Sequence, residues 1–182
     1  ANTPFGPIWG ELAGEYQTAN ASTIFTTLVE MRRRGIASFS DTDVASGFAT
    51  VSSSTGLLGR WMKVGSRPLT ICDTGHNIGG WQYLSRQIAA QPGRKHMIIG
   101  FVNDKDIDHI LDLMPRDARY YFTRAQIPRA LPADTLASAA KDKGLHGETF
   151  DNVPTAYEAA KGNADAGDTI FVGGSTFVVA DF

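Results

Sequence analysis

Little in this sequence points toward membranes, metals or nucleic acids. Among 182 residues there is one cysteine, Cys72, in the apolar run Leu69-Thr70-Ile71-Cys72. A single cysteine excludes a disulfide framework and agrees with a reducing compartment. In an apolar run it is expected to serve as a small hydrophobe and not as a nucleophile. No apolar stretch approaches the roughly 18 residues that cross a bilayer, and residues 1–9 lack the basic and apolar regions of a secretory signal, so the expected location is cytoplasmic. Surplus positive charge is also missing. Lys and Arg total 17 against 19 Asp and Glu, a formal net charge of −2. Nucleic acids and anionic membranes are bound through clustered cations, so neither is an expected partner. The one basic run, Arg32-Arg33-Arg34, falls at the end of an expected helix, where cations complement the helix dipole. His96, His109 and His146 have no metal-ligand spacing and are expected to be surface or core histidines. Neither glycine fingerprint of nucleotide loops occurs, since there is no G-x-x-x-x-G-K-[ST] and no G-x-G-x-x-G. Nucleotide phosphates would therefore be held chiefly by another domain, and a Rossmann oxidoreductase is disfavoured. There is no internal repeat or low-complexity tract.

What is present suffices for a core: 42% of the residues are hydrophobic and 20% charged, which argues against disorder. The chain opens abruptly and without Met, and is expected to be a fragment or a processed product. Two parts are expected. In residues 1–55, Asn20 can cap a helix running through Arg34. Ile24, Phe25, Leu28 and Met31 recur at helical spacing, and Gly35 supplies the stop. Ser40 and Asp43 form a capping-box pattern for a second helix, striped by Val44, Phe48 and Val51. Two short amphipathic helices cannot bury both stripes alone, so this part is expected to pack against something outside it. Ser52-Ser53-Ser54-Thr55-Gly56 is small and polar and reads as a linker. In residues 56–182, short apolar runs (69–72, 97–101, 119–122 and 169–172) alternate with helical patterns. These are Trp81/Leu84/Ile88, Ile107/Ile110/Leu111/Met114, Leu136/Ala139/Ala140 and Tyr157/Ala160. The alternation predicts an α/β fold with a mostly parallel, Rossmann-like sheet and helices on both faces. The short Thr149-Phe150 stretch gives no firm strand.

Several segments carry candidate chemistry. Asp73-Thr74-Gly75-His76-Asn77-Ile78-Gly79-Gly80 follows a buried strand and opens a helix. Ligands of open α/β sheets bind at the carboxyl ends of strands, and a helix N-terminus offers free N–H groups to an anion. Asp73 and His76 can bind a ribose, a metal or a phosphate there; alternatively Asp73 caps the helix and His76 is incidental. Arg60, in Gly59-Arg60-Trp61, can reach phosphate oxygens across a cleft, or is a surface arginine packed on Trp61. Asn20 can read an adenine edge or serve only as the cap. Asn103-Asp104-Lys105-Asp106 is a site or a helix N-cap. Pro128-Arg129-Ala130-Leu131-Pro132 is a loop with an exposed arginine. Gly173-Gly174-Ser175 places a hydroxyl, Ser175, in the same cleft.

Taken in order, G-E-Y-Q-x-x-N, G-R-W, D-x-G-H-N, N-D-K-D, P-R-A-L and G-G-S, from Leu12 to about Val179, the sequence resembles the folylpolyglutamate synthase/dihydrofolate synthase branch of the Mur ligase superfamily. Single motifs are weak, and the ordered set is specific. The resemblance implies that residues 1–55 are the helical tail of a central ATPase domain and that 56–182 are the Mur ligase C-terminal domain, with a hinge at Thr55 to Leu58. It implies ATP and Mg2+, the magnesium ligands belonging to the N-terminal part outside this sequence. Asn20, Arg60 and Asp73 would bind ATP; Asp73, His76 and Ser175 would bind glutamate; Arg60 and His76 would act in catalysis. The partners are then small molecules (ATP, L-glutamate, and a folate or dihydropteroate), and the protein is a monomer. The implied reaction converts a carboxylate to an acyl phosphate, which the amine of glutamate attacks. Two departures stand out. Gly75 and Ile78 replace the family's Ala and Pro, which loosens the start of the helix, and Phe177 replaces Tyr, which removes a hydroxyl from the glutamate side. The fragment by itself is expected to be inactive. A peptidoglycan-precursor ligase of the same superfamily and a non-catalytic nucleotide- or protein-binding module are the other two readings.

Overall fold

The computed structural model describes residues 2–103 and 106–182. They separate into two compact units, 1–58 and 59–182.

The first unit starts with a two-residue hairpin, β1 (Asn2–Thr3) and β2 (Gly6–Pro7), paired antiparallel. Helix α1 spans Gln17–Arg33 and buries none of its residues. Its N-cap is Tyr16, so the expectation that Asn20 caps it is corrected: Asn20 lies inside the first helical turns and its Nδ2 donates to Gln17 Oε1 at 3.0 Å. The basic run does more than face the helix dipole. Arg33 and Arg34 pair with Glu30, while Arg32 pairs with Asp41 at 2.9 Å and lies over the rings of Phe5 and Phe39. Helix α2 (Asp41–Ala49) has the expected capping box: Ser40 Oγ accepts from Asp43 N and Asp43 Oδ2 accepts from Ser40 N. The presumed linker is instead a short helix, α3 (Val51–Thr55). Its hydroxyls are satisfied within the helix, Ser54 Oγ donating to Thr50 O and Thr55 Oγ1 to Val51 O. Gly56, at φ +71°, ends it.

The second unit holds β3 (Met62–Ser66), β4 (Leu69–Asp73), α4 (Ile78–Ala89), β5 (Lys95–Ile99), α5 (Ile107–Asp112), β6 (Arg119–Phe122), α6 (Ala133–Asp142), β7 (Gly147–Thr149), α7 (Val153–Asn163), β8 (Thr169–Gly173) and α8 (Thr176–Ala180). The strands form one sheet in the order β3-β4-β8-β5-β6-β7, antiparallel only at β3-β4. The expected α/β, mostly parallel architecture is therefore the observed one. Helices cover both faces. Trp81 of α4 packs edge-on against Phe171, while Ile170 and Val172, pointing the other way along β8, join a core with Ala156 and Ala160 of α7 and Val178 of α8. Three differences have simple causes. β3 is a half-exposed edge strand with a bulge between Lys63 and Gly65, so it lacks an apolar run. β5 begins two residues earlier than its apolar run, at Lys95, and ends before Gly100. β7 is a three-residue exposed edge that fits because Gly147 packs on Tyr120: a Cβ there would meet Tyr120 O at 2.0 Å. Among the described residues no helix is long and apolar enough to cross a membrane.

Candidate functional site

The last residues of three adjacent strands lie level with one another. Asp73 ends β4 opposite Gly173 at the end of β8, and Gly173 is opposite Ile99 at the end of β5. The sequences that leave these ends are Thr74-Gly75-His76-Asn77, Gly174-Ser175 and Gly100-Phe101. Two of the quoted motifs therefore meet at one crevice, where β8 comes between strands that the chain had already laid down. The loops are close: a Cβ on Gly174, which is at φ +96°, would meet Gly100 O at 2.6 Å.

Asp73 binds a third motif to this end of the sheet. Its carboxylate is fully buried; Oδ2 accepts from the backbone N–H of Trp61 and Oδ1 from that of Gly75, each at 2.7 Å. Thr74 N donates to Gly59 O at 2.9 Å. Arg60 sits between two residues with positive φ, Gly59 at +70° and Trp61 at +49°. A tryptophan in that region stores roughly 1–3 kcal/mol of backbone strain, which the surrounding contacts must offset. Trp61 also packs on Phe171, with ring centroids 6.2 Å apart. Asp73 does not cap α4. Asn77 does, its Oδ1 accepting from Gly80 N at 2.8 Å, so the helix start is held without the family's proline and Ile78 takes the first helical position. At Gly75 a Cβ would meet Leu84 Cδ1 at 2.4 Å, so an alanine here would require the Leu84 side chain to shift. His76 Nδ1 lies 3.0 Å from Thr74 O. A carbonyl can only accept, so Nδ1 carries the proton and Nε2 of the neutral ring is left as an acceptor. Ser175 is buried and caps α8, its Oγ accepting from Phe177 N at 3.2 Å, which leaves its own proton available to donate. Arg60, Asp73, His76 and Ser175 are thus on or beside one end of the sheet. Asn20 belongs to the other unit, in α1.

Asp104 and Lys105 of the N-D-K-D motif lie outside the described residues. Around them, the turn after β5 is fastened to the P-R-A-L loop: Val102 bridges Ala130, Asn103 N donates to Arg129 O and Leu131 N donates to Phe101 O. Arg129 is exposed and its guanidinium lies 4.9 Å from the centroid of the Phe177 ring. That cation–π contact occupies the residue that replaces tyrosine, and the sequence gives no signal of it beyond the two motifs themselves. Among the described residues no group of three or more His, Cys, Asp and Glu could hold a metal ion, so these residues do not themselves fit a magnesium site and no step is assigned through one.

At the opposite, amino ends of β5 and β6 lies a cavity of about 260 Å³ lined by Arg94, His96, Asp117 and Arg119 among others. Its arginines are already paired, Arg94 with Asp165 and Asp168 and Arg119 with Glu148. His96 is buried between Tyr121 Oη at 3.0 Å and Asp168 Oδ2 at 3.3 Å. Burial lowers its pKa, against the opposing pull of the Asp168 carboxylate. Asp168, which accepts from the backbone of Asp165 and Arg94, is held well below the usual carboxylate range by those bonds despite its burial. This is a joint between strands, built of satisfied pairs.

Residues 59–176 match the family Mur ligase, glutamate ligase domain, and the chain belongs to that family. Among curated proteins it is 32% identical to the dihydrofolate synthase/folylpolyglutamate synthase of Escherichia coli over 85% of its own length, but it spans only 35% of that relative. A probable bifunctional folylpolyglutamate synthase/dihydropteroate synthase of Haloferax volcanii is 27% identical over 68% of the chain. Among solved structures, Mycobacterium tuberculosis folylpolyglutamate synthase complexed with ADP aligns with a TM-score of 0.79 at 26% identity, covering 96% of this chain and 40% of that one. Escherichia coli FolC in complex with DHPP and ADP aligns with a TM-score of 0.70 at 31% identity, covering 86% and 36%. A bifunctional enzyme with Mn, AMPPNP and L-glutamate bound aligns with a TM-score of 0.67 at 29% identity, covering 79% and 34%.

Proposed function

We propose that this chain is the carboxyl-terminal portion of an ATP-dependent ligase that joins L-glutamate to a folate or dihydropteroate, with residues 1–58 the tail of its ATP-binding domain. The observation that carries this reading is the meeting of Gly59-Arg60-Trp61, Asp73-Thr74-Gly75-His76-Asn77 and Gly173-Gly174-Ser175 at one sheet end in a member of the glutamate ligase family. The chain has no P-loop and spans about a third of its Escherichia coli relative, so the nucleotide triphosphate and its divalent cation are assigned mainly to the remainder of the ligase.

The chemistry demanded is activation of a poor electrophile. A carboxylate oxygen attacks the γ-phosphorus of ATP, ADP leaves, and the acyl phosphate then loses inorganic phosphate to the attacking amine of glutamate through a tetrahedral intermediate. Arg60 is charged at any physiological pH and would stabilise the negative charge spread over the transferred phosphoryl group. His76, with Nε2 as acceptor, is suited to take a hydrogen bond or proton from the incoming ammonium group. Ser175 can donate to a carboxylate. Asn20 is the adenine contact implied by the family resemblance.

The test is ATP-dependent incorporation of glutamate by the full-length ligase, with dihydropteroate and tetrahydrofolate each as acceptor. Incorporation into either is expected, and none is expected from the 182-residue chain alone. Failure with both acceptors alongside activity on a UDP-linked muropeptide would move the protein to the cell-wall branch of the family.

A further inference from the structure

We infer that Gln17 is a specificity-determining residue of the ligase: it fixes the amide orientation of Asn20 and so favours adenine over guanine in the nucleoside triphosphate. This rests on the reading of Asn20 as the adenine contact, and it names the residue that makes that contact selective.

Gln17 is the first residue of α1, and Asn20 stands three positions further on. Residues at that spacing share one face of a helix. Both backbones are fixed by the first turn, Gln17 N donating to Gly14 O at 2.9 Å and Asn20 N to Tyr16 O at 3.2 Å. The side chains are joined by Asn20 Nδ2, which donates to Gln17 Oε1 at 3.0 Å. One of the two Nδ2 protons is used in this way; the other, and the Oδ1 acceptor, remain to meet a ligand. If Asn20 turned its amide alone, Oδ1 would stand against Gln17 Oε1, acceptor against acceptor. The orientation of one amide is therefore tied to that of the other.

That orientation matters because the two purines differ in polarity at position 6. Adenine carries an amino donor there, beside a ring nitrogen that accepts. An amide with Oδ1 toward the amino group and Nδ2 toward the nitrogen matches it at both points. Guanine carries an oxygen in the same place, which would lie against Oδ1, and only the turned amide would meet it with Nδ2. By holding Nδ2, Gln17 disfavours the turned amide. The pair is exposed, so the discrimination it adds is that of one neutral hydrogen bond, about 3- to 10-fold.

The test is glutamate incorporation by the full-length ligase with ATP or with GTP, read as the ratio of kcat/KM for the two nucleotides. Asn20→Ala is expected to lower that ratio by about 10-fold or more. Gln17→Leu is expected to lower it by about 3- to 10-fold while leaving kcat at saturating ATP unchanged. Charged replacements separate orientation from shape. Gln17→Glu can only accept, so it still holds Nδ2 and should keep the ratio at or above the wild-type value. Gln17→Lys can only donate, so it draws Oδ1 toward itself, turns Nδ2 outward, and should lower the ratio further than Gln17→Leu does. In the Asn20→Ala background, Gln17→Leu should change the ratio by less than about twofold. A wild-type ratio in Gln17→Leu, equal losses in Gln17→Glu and Gln17→Lys, or a further fall in the double variant would overturn the inference with the ligase reading intact. An unchanged ratio in Asn20→Ala overturns it together with the adenine contact given to Asn20. Absence of ATP-dependent incorporation by the wild type overturns the ligase reading as well.

Discussion

His96 and Asp168 show how single residues register pH. Both have pKa values below the ordinary ones, His96 through burial and Asp168 through the N–H groups it accepts. A group with a depressed folded pKa adds stability above its unfolded value and loses it as pH falls toward the folded value. For His96 the loss starts near its ordinary 6.5, because the unfolded ring takes up a proton that the buried ring resists; for Asp168 it starts near 3.8. The exposed His109, raised by its pairing with Asp106, works in the opposite sense, so the measurement is a difference. Between pH 6.5 and 5, the urea midpoint of the wild-type chain should fall more steeply than that of His96→Gln, and parallel profiles would show that this histidine is not kept neutral. None of this was legible in the sequence, which marks His96 only as surface or core. Its partners are 25 and 72 residues away, and no local pattern joins them.

At the scale of elements, caps and edges decide what could be read in advance. The four inner strands were legible because parallel strands buried on both faces are written as continuous apolar runs. β3 and β7 were not, being exposed edges, and α3 was hidden by a composition that reads as a linker. Among caps, the Ser40–Asp43 box follows directly from its spacing, whereas the moves of the caps to Tyr16 in α1 and Asn77 in α4 depend on where each chain turn settles. Asn77→Ala removes the acceptor for Gly80 N, and is expected to lower stability by about 1 kcal/mol. Chemical denaturation would register this as a lower midpoint at unchanged slope; Asn77→Ser should keep most of the wild-type value. The same substitution loosens the helix start beside His76, so a stability loss without any change in slope would place the effect in the cap and not in the compactness of the unfolded chain.

At the scale of the whole molecule, the sequence gives the motif loops only as a list; their meeting at one sheet end follows from strand order, which apolar runs do not encode. Gly56, Leu57 and Leu58 are exposed where the two units join in sequence. Brief thermolysin treatment should cut at Leu57 or Leu58 and release a fragment from about residue 58 onward that still melts cooperatively; protection of these bonds would mean that the two units unfold as one. The place of β8 also has a consequence for how the chain comes to be folded. Residues 169–173 bond to β4 on one side and β5 on the other, so β4 and β5 cannot be joined in one sheet until β8 has been synthesised. Until then β4 and β5 each have a partner on one side and an open apolar edge on the other. Such a sheet closes late and slowly, through contacts distant along the chain. A stop codon within residues 169–173 would therefore do more than shorten the protein; it would leave two half-sheets exposed to chaperones, proteases and one another.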